Sequence, residues 1–297
     1  MTPTALALVR SVLCVTLVSG TTACELLRKD KSGRPAPSAT WVPTAVPTIA
    51  GTAGPPPAVA GNAVDLGVAA YPPGTDARGA AQHDWTASLK PSSYRVRYAL
   101  GRGEAAASRA DYRGYAKKVG FRPIDADRFS WQPPPGCVGD MRCVYAQAEL
   151  RDRFAVGALS ERFQARARQA KIDALQTATL VVSMIQGIRY EVPKEEPFGL
   201  LPPALVASEK RGDCDSKALL AHMVLADLGI DSVLISSEAH KHTMLAIALP
   251  AQGSSFTWQG RRYAFTEMTA AGSPIGHVNP DLLSPSDWRV VAWSERK

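Results

Sequence analysis

Lys210-Arg-Gly-Asp-Cys-Asp-Ser-Lys-Ala-Leu-Leu220 sets one cysteine between two aspartates, after a glycine and at the head of an apolar run. Leu219, Leu220, Met223, Val224 and Leu228 follow at helical spacing and define one face to bury. Gly212 lets the chain turn in, Asp213 is a residue type that caps helix N-termini, and Gly229 is placed to end the helix. The spacing therefore predicts a helix with Cys214 in its first turn. Free backbone N–H groups and the helix dipole favour a negative sulfur there, and the thiolate is the nucleophilic form. The bland reading of the same residues is a small side chain that packs the helix start.

A cysteine nucleophile needs a base for its proton, and the base needs a third group to orient it. Downstream, Ile230–Ser236 reads as a strand, His240-Lys-His242 ends the turn behind it, and 242–249 is apolar enough for a buried strand. Arg261–Met268 alternates. Antiparallel pairing of the last two runs through the Gln252-Gly-Ser-Ser255 turn brings Glu267 near His242. Cys214, His242 and Glu267 then supply nucleophile, base and acid in chain order. His240 competes as base, and His242 is preferred because it opens the apolar strand. The same residue types, Cys214, His240, His242 and Glu267, also suit zinc. The helix-start setting and the flanking aspartates favour the nucleophile. Trp288–Trp293 reads as a closing strand.

Upstream, a helical pattern from Ser160 to Ile188 carries Phe163, Ala167, Ala170, Leu175, Ala178, Val182 and Ile185 as its stripe, with Ser160 as cap. Arg162, Arg166, Arg168 and Lys171 form its solvated face. Glu196-Pro-Phe-Gly-Leu-Leu-Pro-Pro203 is a loop leading to the cysteine helix. Tyr94–Leu100 alternates as a strand, and Ala105–Lys118 reads as a helix ended near Gly120. Cys137 and Cys143, in a Pro- and Gly-flanked loop, are expected to form a disulfide in an exported protein.

The N-terminus reads as an export signal. Arg10 precedes the short apolar run Ser11–Gly20, and Thr21-Thr-Ala-Cys24 resembles a lipobox with Cys24 as lipid acceptor. Plain secretion with cleavage near Ala23 is the second reading. Residues 25–84, rich in Pro, Ala, Thr and Gly, read as a disordered tether, and order is expected to begin near Trp85. The expected plan is thus a signal over 1–24, a tether over 25–84, an α/β subdomain with the disulfide loop over 85–159, and a catalytic domain over 160–297. With Cys14 lost, Cys24 lipidated and Cys137 paired to Cys143, Cys214 is the odd thiol. The net charge of +7 suits anionic surfaces such as phospholipid head groups or cell-wall polymers. No nucleic-acid motif accompanies it, so no nucleic-acid partner is expected.

Gly212-Asp-Cys-Asp-Ser-Lys-Ala218, the helix ending Leu228-Gly-Ile230, His242 at the head of a strand, and Glu267-Met-Thr269 together resemble the transglutaminase-like cysteine peptidase superfamily. Ile188-Arg-Tyr190 and Pro202-Pro-Ala-Leu205 resemble the run-up to its cysteine, and the likeness spans Thr177 to Ala271. Glu267 stands where that family usually has Asp. The resemblance implies an α+β, papain-like fold with the cysteine helix on an antiparallel sheet. It implies acyl transfer through a thioester, with no metal or organic cofactor. By position the Cys214 N–H is one oxyanion donor; Gln186 and Tyr190 are candidates for the second. The expected function is a lipid-anchored envelope thiol hydrolase or acyl transferase acting on protein or cell-wall amides. The alternative is a non-catalytic envelope lipoprotein that uses the same fold for binding or scaffolding. An intact Cys, His and acid set argues against it.

Overall fold

The computed structural model describes residues 40–42, 63–125, 128–137 and 141–293; the export signal and Cys24 lie outside them. The chain is mixed α and β. Its first described strand is β1 (Thr40–Val42), followed by β2 (Val64–Tyr71), β3 (Ala81–Thr86) and β4 (Ser93–Leu100). The tether reading is corrected here, because β1 and β2 fall within residues 25–84 and β3 begins there. Pro72-Pro73-Gly74 marks a turn after β2, where Thr75 donates its N–H to the Pro72 carbonyl. Proline density signalled a strand end rather than lost structure. β2 pairs parallel to β4, and β3 pairs antiparallel to it.

Helix α1 (Arg102–Lys118) and the short hairpin of β5 (Arg122–Pro123) and β6 (Phe129–Ser130) come next. The Cys137–Cys143 disulfide, with Cα atoms 5.8 Å apart, leads into α2 (Arg142–Ala170). The sequence predicts one helix from Ser160 to Ile188; the structure has two. α2 ends at Lys171 with φ 53°, and α3 (Ala174–Gln186) begins at Asp173, which forms a capping box with Gln176. The reciprocal cap satisfies free N–H groups and starts a new helix, and the continuous apolar stripe masks the break. Ser160 lies inside α2, where its hydroxyl donates to Asp227 at 2.7 Å.

No boundary falls at residue 159. α2 crosses that position unbroken, and Trp85 and Tyr94 share one core with Phe163, Leu180 and Leu219. A contiguous core of this kind makes the two expected subdomains one folding body. Further on, β7 (Arg189–Tyr190), α4 (Pro203–Glu209) and β8 (Arg211–Gly212) lead to α5 (Cys214–Asp227). After α5 come β9 (Ser232–Ser237), β10 (His242–Ile247), β11 (Ser255–Trp258), β12 (Arg261–Thr266) and β13 (Arg289–Trp293). With β1 they form one antiparallel sheet in the order β1-β11-β12-β10-β9-β13.

α5 is the central element. Every residue from Ser216 to Leu225 is buried, so the expected single apolar face is a full circle. It packs on β9 and β10 on one side and on α2, α3 and α4 on the other. Ala218 and Ala221 let those neighbours come close, and Gly229, at φ +73°, turns the chain away at the far end.

Two histidines are buried in this frame. His83 lies 2.8 Å from the Ala207 carbonyl, and His222 lies 2.8 Å from the Ser232 hydroxyl. Burial lowers both from 6.5 to about 4. The unfolded chain therefore binds protons that the native one refuses, and stability falls as pH drops from about 6.5 towards about 4. Urea denaturation across that window is expected to show the loss. His83→Gln, which keeps a donor for Ala207, is expected to flatten part of it; an unchanged slope would contradict the assignment.

Candidate active site

The buried start of α5 needs partners for its free N–H groups. Asp213 caps it: its Oδ1 accepts the Ser216 N–H at 3.0 Å and the Ser216 hydroxyl at 2.5 Å. The Ser216 oxygen in turn accepts the Leu201 N–H at 2.9 Å, tying the run-up loop to the helix. Gly212 is required by close approach, since a Cβ there would lie 3.2 Å from the Ser216 Cβ and 3.3 Å from Val206. Ion pairs hold the loop from outside. Arg109 of α1 meets Glu196 at 2.5 Å and Glu209 at 2.7 Å, with the Glu196 side chain fully buried. Arg211 meets Glu191 at 3.0 Å and Glu209 at 2.8 Å, and also pairs with Glu195.

Cys214 is the first residue of α5 and the free cysteine of the described residues, 8% exposed. Its thiol faces Asp215 Oδ1 at 3.6 Å. The backbone N–H groups of Thr243 and Asp215 are near enough to favour a negative sulfur. Thr243 follows His242, so the thiol sits at the head of β10. Burial, then the carboxylates of Asp215 and Asp213, push the thiol well above its ordinary 9.0; the two N–H groups act in the opposite sense. The helix start alone predicts a lowered value. Burial and the two flanking aspartates reverse that balance and favour the thiol over the thiolate. Asp213 itself is raised by burial and by Asp215.

His242 Nε2 lies 2.8 Å from Glu267 Oε2. The β10–β12 register, with Leu245 opposite Thr266, brings the two residues together as the antiparallel reading expects. The other carboxylate oxygen of Glu267 accepts from the Thr269 N–H at 2.7 Å and the Thr269 hydroxyl at 2.6 Å. Burial raises the Glu267 carboxyl, but the His242 and Thr269 hydrogen bonds outweigh it and the group ends below its ordinary 4.5. His240 turns elsewhere: its Nε2 lies 3.3 Å from Asp287, and its ring stacks on Trp288. The two imidazoles therefore face different carboxylates, and only His242 hydrogen-bonds its own.

Gln186 spends both amide hydrogens on backbone carbonyls, Glu267 O at 2.7 Å and Ser273 O at 2.9 Å, while its oxygen accepts the Gly272 N–H at 3.2 Å. It brackets the loop that carries Glu267. Tyr190 is 53% exposed; its partial burial, then the charges of Cys214, Asp213, Asp215 and Glu267, raise its phenol. Sequence reasoning missed Lys217 and Tyr145. Lys217 is fully buried and donates to the carbonyls of Gln186 at 3.1 Å and Ile188 at 2.8 Å; burial lowers it to about 8. A lysine at helical position i+3 from the cysteine carries no periodic signal of this role. Tyr145, three residues into α2, donates its hydroxyl to Asp215 Oδ2 at 3.2 Å. It also forms part of a cleft of about 370 Å³ with Met141, Ser236, Glu238, Asp287 and Arg289.

No family model and no curated protein matches the chain. Among solved structures, LapG of Legionella pneumophila is similar at 14% identity and a TM-score of 0.26, over 46% of this chain and 81% of that one. A likeness of that size adds nothing to the geometry above.

Two measurements follow from these contacts. Glu267→Gln is expected to lower stability near neutral pH. Because the native carboxyl is lowered, the wild-type advantage is present above 4.5 and disappears as pH falls through the lowered native value. Urea denaturation of both proteins across that range reads it, and a difference that persists in strong acid would contradict the pairing. Lys217→Met leaves two buried carbonyls unmet and is expected to cost about 2 kcal/mol or more in the same assay.

Proposed function

We propose that the protein is a thiol hydrolase of the cell envelope, a peptidase, amidase or acyl transferase, in which Cys214 is the nucleophile, His242 the base and Glu267 the orienting acid. The single observation that supports this reading most is the 2.8 Å His242–Glu267 contact, together with a buried cysteine at a helix N-terminus that has Thr243, the residue after His242, as a neighbour. The cysteine helix lies on the antiparallel sheet that carries the histidine, which is the arrangement the papain-like, transglutaminase-like reading calls for.

In this reading His242 takes the Cys214 proton as the sulfur attacks an amide or ester carbonyl. Glu267 holds the imidazole through Nε2, which leaves Nδ1 for the thiol, and stabilises the cation that forms. The Cys214 N–H is one oxyanion donor by position, and Tyr190 is the remaining candidate for the second, because Gln186 is committed to the Glu267 loop. His242 then protonates the leaving amine. Water, or an acceptor amine, releases the acyl group from sulfur. No metal or organic cofactor enters this sequence. The cleft lined by Tyr145, Ser236 and Glu238 is the candidate berth for part of an amide substrate, protein or cell-wall. The lipid anchor at Cys24 would hold the enzyme at the membrane.

The test is the rate of iodoacetamide labelling of Cys214 against pH. The wild type is expected to label with a His242-dependent profile, and His242→Ala is expected to lose that dependence. A positioned base contributes about 10²–10⁴ in rate, so the loss is readily measured. Cys214→Ser is expected to abolish hydrolysis of amide substrates while folding normally. An active Cys214→Ser protein, or a labelling profile indifferent to His242, would return the chain to the binding-lipoprotein reading.

A further inference from the structure

Tyr145 is the residue of this site that neither the cysteine motif nor its downstream partners explain. It lies 69 positions before Cys214 in the chain, in the first turn of α2, two residues past the disulfide cysteine Cys143. It is 1% exposed, and its hydroxyl donates to one oxygen of Asp215 at 3.2 Å while the other oxygen faces the Cys214 thiol at 3.6 Å. Thr243, which lies near the sulfur, is also a neighbour of the Tyr145 hydroxyl. Tyr145 therefore neighbours both residues that neighbour the sulfur.

We propose that Tyr145 is a positioning residue for the nucleophile: it holds one oxygen of the Asp215 carboxylate and draws off part of its charge, so that the other oxygen faces the Cys214 thiol with a moderated grip on its proton. The proposal rests on the thiol-nucleophile reading of Cys214. A short carboxylate beside a cysteine has freedom to rotate; a buried hydroxyl on one oxygen leaves the other aimed at the sulfur. The consequence is a nucleophile stored as a thiol. A protonated sulfur resists oxidation, which suits a free cysteine in an oxidising compartment, and its proton passes to His242 only as the sulfur attacks a bound substrate carbonyl. The anchoring of the Tyr145 turn by the Cys137–Cys143 link fits this role, since the positioning group needs a rigid base.

The charged and titratable groups that face the sulfur are Asp213 and Asp215 on α5, Tyr145 on α2 and Tyr190 on β7; Tyr112 on α1 faces the two aspartates, and the His242–Glu267 pair follows from β10 and just beyond β12. Burial and the aspartates raise the thiol. The sign of each substitution follows. Asp215→Asn removes a negative neighbour and is expected to lower the midpoint of the iodoacetamide profile by about 1–3 pH units. Tyr145→Phe removes the hydrogen bond that shares the carboxylate's charge, so Asp215 holds the thiol proton more strongly. The midpoint is expected to rise by about one pH unit.

The experiment measures these midpoints on the full chain with its disulfide intact, for the wild type, Tyr145→Phe, Asp215→Asn and the double variant, each checked for native circular dichroism. Because Tyr145 acts through Asp215, its shift is expected to vanish in the Asp215→Asn background. A midpoint unmoved by Tyr145→Phe, or moved equally in both backgrounds, would overturn the proposal. Should Tyr145→Phe fold poorly, 3-fluorotyrosine at position 145 keeps the ring and strengthens the donor. It is expected to move the midpoint down, and an unchanged or raised value would overturn the proposal in the same way. His242→Ala run alongside separates the two ideas. Indifference to His242 sinks the catalytic reading, whereas the Tyr145 and Asp215 shifts report on the positioning role by themselves.

Discussion

A helix whose first residue is buried has free N–H groups that water cannot reach, and the whole site hangs on how they are met. Asp213 meets the Ser216 N–H and hydroxyl, and Ser216 passes the connection to Leu201. The cost of leaving such donors unpaired, about 1–3 kcal/mol each, explains why the run-up loop is so heavily braced. Glu196 is buried between Arg109 and Arg113, and Arg211 is surrounded by three glutamates. These pairs fix the direction from which the chain enters α5. That direction sets where Cys214 stands relative to β10.

The second constraint is electrostatic. Two carboxylates flank the cysteine, and both disfavour a negative sulfur. The helix dipole pulls the other way, but it is worth less than a desolvated carboxylate a few ångströms off. The site thus keeps its sulfur protonated and its imidazole paired with an acid.

Packing ties these features to the distant parts of the chain. α5 is sheathed by the sheet on one side and by three helices on the other. Lys217 closes the gap between α5 and the end of α3 by donating to two carbonyls there, and Gln186 at that same end brackets the Glu267 loop. The end of α3 is therefore the hinge point at which cysteine helix and acid loop are held together. β2, β3 and β4 complete the core from the far side, which is why residues before Trp85 belong to the fold.

Much of this was legible along the chain. The cap at Asp213, the turn at Gly229, the strands on either side of His242 and the approach of Glu267 follow from local rules of capping, alternation and antiparallel pairing. Those rules act over a few residues, or over one hairpin, and so they are written in sequence. The Cys137–Cys143 pairing was legible for the same reason. Other features were decided only by the tertiary structure. Periodicity cannot show that α5 is buried on all sides, because a helix without a polar face reads the same as one with scattered small residues. The break at Lys171–Asp173 was hidden beneath a continuous apolar stripe, and a proline-dense segment concealed two strands whose partner, β4, lies further on. Lys217, Gln186 and Tyr145 have roles set by groups they meet across the fold, as Tyr145 meets Asp215 from 70 positions away. The state of the Cys214 proton was settled there too, since burial and through-space charge, the terms that govern it, exist only once the chain has closed around the sulfur.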